Sequence, residues 1–282
     1  MSIPAPPQAV VEDDVRRALA EDVRDGDVTA ALLPDTADQA YLLCKESGVL
    51  AGSAWFETAH RLLDPEVRIE WKARDGERIE PGRVLAILHG RSRSLVTAER
   101  TSLNFLQTLS GTATITARFV AAVAGTGTRI LDTRKTLPGL RLAQKYAVLC
   151  GGGHNHRIGL FDAVMLKENH IRSAGSLTAA IRAARQAQPA LPLIVEVETL
   201  DQLHEALATG CDRILIDDFT PESRREAVKI AAGRIPLEIS GGVDLDSVRA
   251  IAGDGVDCIS IGGLTKHVHA IDLSMKLGPV PV

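Results

Sequence analysis

The chain lacks a long apolar run, a paired-cysteine motif and a basic excess, and each absence removes a class of function. Of its 282 residues, 32 are Lys or Arg and 36 are Asp or Glu, a net charge of −4. The global positive field that draws nucleic acid or anionic lipid is missing. No stretch reaches the ~18 consecutive apolar residues of a membrane helix. The opening "MSIPAPPQAVVEDD" lacks the basic-then-apolar order of a secretory signal. Cys44, Cys150, Cys211 and Cys258 are far apart and make neither CxxC nor a zinc-type Cys/His spacing. They read as reduced, buried thiols of a cytoplasmic protein. Neither a Walker A loop nor GxGxxG occurs, so there is no nucleotide fingerprint.

What is present is an ordinary globular composition, 45% apolar and 24% charged, able to bury a core without staples. Residues 1 to about 9 are Pro-rich and read as an arm. Residues 10–20 are helical in pattern, with Val11, Val15, Ala18 and Leu19 on one face. Residues 40–90 hold short β-like runs broken by Asp-Gly, Pro-Gly and Gly, a small α+β region. The stretch "SLVTAERTSLNFLQTLSGTATITARFVAAV" reads as one or two helices with Gly111 as a break. From Thr128 onward the rhythm alternates. Strands are expected at 129–132, 163–167, 193–198, 213–217, 237–240 and 258–261, with helical patterns between them. Repeated βα units imply a parallel sheet, open or closed as a barrel.

The polar residues fall in a telling place. Asp132, Lys167, Glu196, Asp217, Ser240 and Gly262 all lie at or just beyond the C-terminal ends of these strands. In a βα barrel that rim is the active-site mouth, so convergence of all six favours a barrel. Arg134 and Lys135, flanked by Thr133 and Thr136, follow the first strand; His156 and Arg157 close "CGGGHNHR"; Lys167 ends "AVML". Such cations suit a substrate with several negative charges, each of which needs a partner once out of water. Arg can grip a carboxylate bidentately, while Lys serves phosphate as a point charge. Lys167 fits either a substrate carboxylate or a Schiff base. Glu196 and Asp217, with near duplicates at Glu198 and Asp218, can hold Mg²⁺ through water or accept ribose hydroxyls. "ISGGV" (Ser240, Gly241, Gly242) and "SIGGL" (Ile261, Gly262, Gly263) can offer backbone amides to phosphate. Each feature alone has a bland reading as solvated loop, salt bridge or tight turn. Together they point to a phosphorylated, metal-bound substrate beside a carboxylated one.

These segments resemble the quinolinate phosphoribosyltransferase family almost end to end. The resemblance is carried by "EDVRDGDVTAALLP", "AERTSLNFLQTLSGTAT", "DTRKTLPGLR", "KYAVLCGGGHNHRIGLFD", "MLKENHI", "EVE", "ILIDD", "EISGGV" and "ISIGGLT". Departures are small: Val-Arg-Asp stands where the family often has a glycine, and Met165 replaces a more usual Ile. The resemblance implies an N-terminal α/β sandwich domain over residues 1–112, onto which a tail from about 270 to 282 packs. It implies an open seven-stranded, TIM-like α/β barrel over 113–269, one strand more than the pattern gives. It implies a homodimer in which Arg100 of one chain completes the other chain's site. The activity implied is transfer of the phosphoribosyl group of phosphoribosyl pyrophosphate to quinolinate with decarboxylation, giving nicotinate mononucleotide, pyrophosphate and CO₂ in de novo NAD biosynthesis. Arg100, Thr133, Arg134, His156, Arg157 and Lys167 would bind quinolinate. Lys135, Glu196, Asp217, Ser240, Gly241, Gly242, Ile261, Gly262 and Gly263 would bind the phosphoribosyl donor. Glu196 and Asp217 would hold Mg²⁺ and, with Lys167, form the catalytic set. Rival readings are a class I aldolase-type lyase built on Lys167, a non-catalytic anion binder, and a nicotinate-specific phosphoribosyltransferase.

Overall fold

Apolar spacing turns into structure in chain order. In the computed structural model, which describes residues 3, 4 and 6–280, the first elements are α1 (Gln8–Asp22), β1 (Ala37–Cys44), β2 (Gly48–Val49), α2 (Ser53–Leu63), β3 (Arg68–Trp71), β4 (Arg78–Ile79), β5 (Val84–Arg91) and α3 (Ser92–Ala122). There follow β6 (Arg129–Leu131), α4 (Arg141–Cys150), β7 (Val164–Leu166), α5 (Glu168–Ala174), α6 (Leu177–Ala187), β8 (Leu193–Val197) and α7 (Leu200–Thr209). The last are β9 (Arg213–Ile216), α8 (Pro221–Ala231), β10 (Leu237–Ser240), α9 (Val248–Gly253), β11 (Cys258–Ser260), α10 (Gly263–Lys266) and β12 (Leu273–Leu277). The chain divides into two units. One comprises Met1–Ala117, Thr136–Gly152 and Leu264–Val282; the other comprises Arg118–Lys135 and Gly153–Gly263.

The first unit is built on an antiparallel sheet of order β12-β1-β5-β3. The C-terminal strand joins β1 from Ala40↔Leu277 to Cys44↔Leu273. Its core holds Leu42, Phe56, Leu85, Leu88, Leu103 and Leu106, all at most 2% exposed. On α1, Val11, Val15 and Leu19 are buried at the expected helical spacing. Gly111 does not break the long helix: α3 runs through it for 31 residues. The glycine is there for space, because a Cβ at Gly111 would lie 2.1 Å from the carbonyl oxygen of His269. Intrinsic propensity predicted a break; a close backbone approach supplies the reason for the residue.

The second unit carries a six-stranded parallel sheet of order β6-β11-β10-β9-β8-β7. All six expected strands are present, and the strand count is six rather than seven. Beside β6, where another strand could stand, a single bridge links His154 to Leu131. It is held by His154 N–H to Ile130 O at 2.8 Å and Asp132 N–H to His154 O at 3.1 Å. The helices between the strands start on hydroxyl caps: Ser176 accepts from Ala179 N–H, Thr199 from Gln202 N–H and Thr220 from Ser223 N–H. Each such cap is worth ~1 kcal/mol.

Register explains why polar residues meet. Leu166, Val195, Ile214 and Leu237 lie abreast, as do Val197, Ile216, Ile239, Ile259 and Ile130. These rows form one wholly apolar face. The alternating rows hold Met165, Ile194 and Arg213; then Glu196, Leu215, Glu238, Cys258 and Arg129; then Ser240, Ser260 and Leu131. Because side chains alternate along a strand, Lys167 and Asp217 continue this second, polar face. All four cysteines are buried and form no disulfide. Among the described residues, no helix is long and apolar enough to cross a membrane.

Candidate active site

Three groups stand along the second, polar face: two at strand ends, the third reaching the middle of β10 and the start of β7. In the first, the Lys167 ammonium pairs with Glu196 Oε2. Glu196 is 11% exposed in its side chain, whereas Lys167 is 49% exposed, so the lysine is ion-paired at the surface rather than set in an apolar pocket. A Schiff-base lysine is activated by an apolar pocket or a neighbouring cation, whereas Lys167 has a carboxylate partner; this disfavours the lyase reading. Asp217 follows β9 beside this pair. Burial, then the negative charges of Glu196 and Asp218, push its pKa above the usual aspartate range, with Lys167 offsetting part. Gly241 adjoins it: a Cβ there would sit 3.5 Å from Asp217 Oδ1. Gly241 and Gly242 have φ of +94° and +61°, conformations that favour glycine.

The second group is Thr133, Lys135 and Gly262. Thr133 Oγ1 accepts from the Lys135 amide at 3.1 Å. A Cβ on Gly262 would come within 2.8 Å of Lys135 Cδ, so the missing side chain lets the lysine stem lie across this turn. Ile261 departs from the sequence-based expectation. Its amide donates to Leu131 O at 2.9 Å as part of the β6–β11 pairing, so that amide is not available to phosphate. Gly262 follows Ile261 in this turn, and Gly263 opens α10.

The third group is Arg134, His156 and Arg157. Burial and then the positive charge of Arg134 lower the Arg157 pKa, with Asp162 opposing. A partly buried guanidinium with a second one near it suits an anionic ligand. The Arg157 guanidinium also donates to Ala163 O at 3.3 Å and meets Met165 Sδ at 3.6 Å. His156 is 8% exposed. Its backbone N–H donates to Asp132 Oδ1 at 2.8 Å, and its Nδ1 accepts from the Arg157 amide at 2.7 Å. Its Nε2 lies 3.3 Å from Oε1 of Glu238, a residue with no exposure, without the alignment of a full hydrogen bond. Glu238 Oε2 accepts from Arg213 at 2.9 Å. Burial raises the Glu238 pKa, but His156 and Arg213 outweigh it and the net direction is down.

Glu238, Arg213 and Arg129 escaped the sequence reading, which looked only at strand ends. The available signal was alternation, since each stands two residues from another residue of the polar face. Arg100 is exposed on α3 in the first unit. Glu198 and Asp218 are exposed, unlike their half-buried neighbours Glu196 and Asp217. Among the described residues, no group of three or more His, Cys, Asp or Glu is arranged to hold a metal. Two carboxylates still fit Mg²⁺, which keeps several waters and takes ligands from substrate phosphates. Burial first, and then the charges of Glu196 and Asp218, raise the Asp217 pKa, and a cation beside it would offset both.

Comparison with known proteins gives a consistent picture. Residues 112–276 match the family model of the quinolinate phosphoribosyl transferase C-terminal domain, and residues 27–110 match that of the N-terminal domain. The chain is 42% identical over 259 residues to a probable nicotinate-nucleotide pyrophosphorylase [carboxylating] of Bacillus subtilis, covering 91% of this chain and 90% of the relative. It is also 42% identical over 276 residues to the nicotinate-nucleotide pyrophosphorylase [carboxylating] of Mycobacterium leprae, covering 94% and 96%. Among solved structures, the nicotinate-nucleotide pyrophosphorylase of Francisella tularensis superposes with a TM-score of 0.94 at 44% identity, covering 99% of each chain.

Proposed function

The chain belongs to the quinolinate phosphoribosyltransferase family, and we propose that the polar face of its parallel sheet carries that family's reaction. The chain is a decarboxylating pentosyltransferase of NAD biosynthesis, acting on quinolinate and phosphoribosyl pyrophosphate. The observation that carries the assignment to this site is its set of cations, the partly buried Arg157 with Arg134 near it and Lys167 paired to Glu196, which a dicarboxylate could join. A nicotinate-specific enzyme has one carboxylate to bind and no use for this excess.

Arg134, Arg157 and Lys167 grip the two carboxylates, with Thr133 and His156 lining the same place. Lys135 reaches the phosphoribosyl donor, and Ser240, Gly241, Gly242, Gly262 and Gly263 surround its phosphates. Glu196 and Asp217 would accept ribose hydroxyls and hold Mg²⁺, which would supply positive charge to the pyrophosphate leaving group. The ring nitrogen of quinolinate attacks ribose C1 as the C1–O bond to pyrophosphate breaks. The ribose passes through an oxocarbenium-like state that Glu196 and Asp217 stabilise electrostatically. Holding both reactants in line supplies the proximity contribution. The ring nitrogen is then cationic, so the C2 carboxylate can leave as CO₂; the carbanion left behind is stabilised as an ylide and takes a proton.

Three finer readings belong to the same proposal. The sheet curls into an open barrel, supported by the 154–157 segment. It bonds to the β6 edge through His154 and Asp132, and reaches the β7 edge through Arg157. The enzyme works as a homodimer, the partner's Arg100 completing each site. The buried free thiols suit the cytoplasm. Replacing Arg134 or Lys167 by Ala should lower kcat/KM for quinolinate by roughly 100-fold or more while the thermal unfolding midpoint stays near wild type. Wild-type turnover in both variants would overturn the site.

A further inference from the structure

His156 carries no spare ring nitrogen. A neutral imidazole has one donor and one acceptor. Nδ1 accepts the Arg157 amide at 2.7 Å, so the proton sits on Nε2. Nε2 lies 3.3 Å from Oε1 of the Glu238 carboxylate, an electrostatic contact rather than an aligned hydrogen bond, and the carboxylate is itself held by Arg213 at 2.9 Å. Glu238 has no solvent exposure. A buried carboxylate is costly unless paired, and replacing such a network by apolar residues often costs nothing in stability. Folding therefore does not by itself account for it. The contact ends on the residue that precedes Arg157, and the His156 amide is pinned to Asp132 at 2.8 Å.

We propose that Glu238 and Arg213 are positioning residues: through His156 in a fixed Nε2–H tautomer they hold the turn that aims Arg157 at the substrate. His156 then acts on quinolinate through Arg157. Arg213 holds the carboxylate in place, Glu238 orients the ring, and Nδ1 stays a pure acceptor for the Arg157 amide. The inference rests on the quinolinate reading of the Arg134–Arg157 pair, but part of its test does not.

The first measurement needs no turnover. In protein labelled with ¹⁵N-histidine, His156 should show a bare Nδ1 and a protonated Nε2; an Nδ1-protonated or averaging ring overturns the proposal. The second measurement is kinetic. Glu238→Gln should raise KM for quinolinate roughly tenfold, leave KM for phosphoribosyl pyrophosphate unchanged, and add less than about twofold in an Arg157→Lys background. Equal effects on both substrates, or effects that multiply in the double variant, overturn it. Arg213→Lys gives the same readout, with the same expected direction, should Glu238→Gln fail to fold. Absence of any quinolinate-dependent turnover in the wild type would reject the functional reading alone, leaving the tautomer measurement to decide the positioning role.

Discussion

At the scale of single residues, charge crowding does most of the explaining. Asp217 has its pKa raised by burial and by the charges of Glu196 and Asp218. If it acts ionised, kcat/KM must fall as pH drops through that raised value, so the acid limb lies above the ordinary aspartate range. Asp218 is exposed and has φ of 57°, a conformation Asn tolerates. Asp218→Asn removes one like charge without touching the proposed contacts. The acid limb of kcat/KM should then move to lower pH; an unmoved limb would detach Asp217 from the reaction. The sequence showed Lys167, Glu196 and Asp217 because charge at the end of an apolar run is conspicuous. It hid Glu238 and Arg213, since a charge inside or at the start of a strand reads as noise until register puts it beside a partner. It also overcounted Ile261, whose amide is consumed by the ladder, a fact that only pairing reveals.

At the scale of elements, the six parallel strands were legible because each is a short apolar run between helical patterns. The alternate rows, one wholly apolar and one carrying the charged and polar residues among apolar ones, follow from the two-residue period once register is known. A seventh strand was not legible, and beside β6 its place holds one bridge at His154. Helix α3 shows the opposite error, a break expected from Gly111 where none exists. Gly111→Ala gains helix propensity but drives a Cβ into the His269 carbonyl at 2.1 Å. It should destabilise the fold by about 2 kcal/mol net. At Gly253 in α9 an added Cβ would meet nothing within 4 Å, so Gly253→Ala should be neutral or stabilising by about 0.5 kcal/mol. Urea midpoints of the two variants, moving in opposite directions or with only the first falling, would bear this out. Equal loss in both would not.

At the scale of the whole molecule, the site proposal spans two chains. Arg100 is exposed on the first unit of its own chain, and its place in the reading depends on a partner. Arg100→Ala and Lys167→Ala should each be nearly inactive. After the two variants are unfolded and refolded together, activity should return to about a quarter of wild type, because half the dimers are mixed and each has one intact site. No recovery would place Arg100 in cis or outside the site. The central claim, that this polar face couples phosphoribosyl transfer to loss of the adjacent carboxylate, has a more direct test. Quinolinate labelled with ¹⁴C in its C2 carboxylate should release ¹⁴CO₂ only when phosphoribosyl pyrophosphate and Mg²⁺ are both present, in equal amount to the nicotinate mononucleotide formed. Release without the phosphoribosyl donor, or mononucleotide formed from nicotinate as readily as from quinolinate, would contradict it.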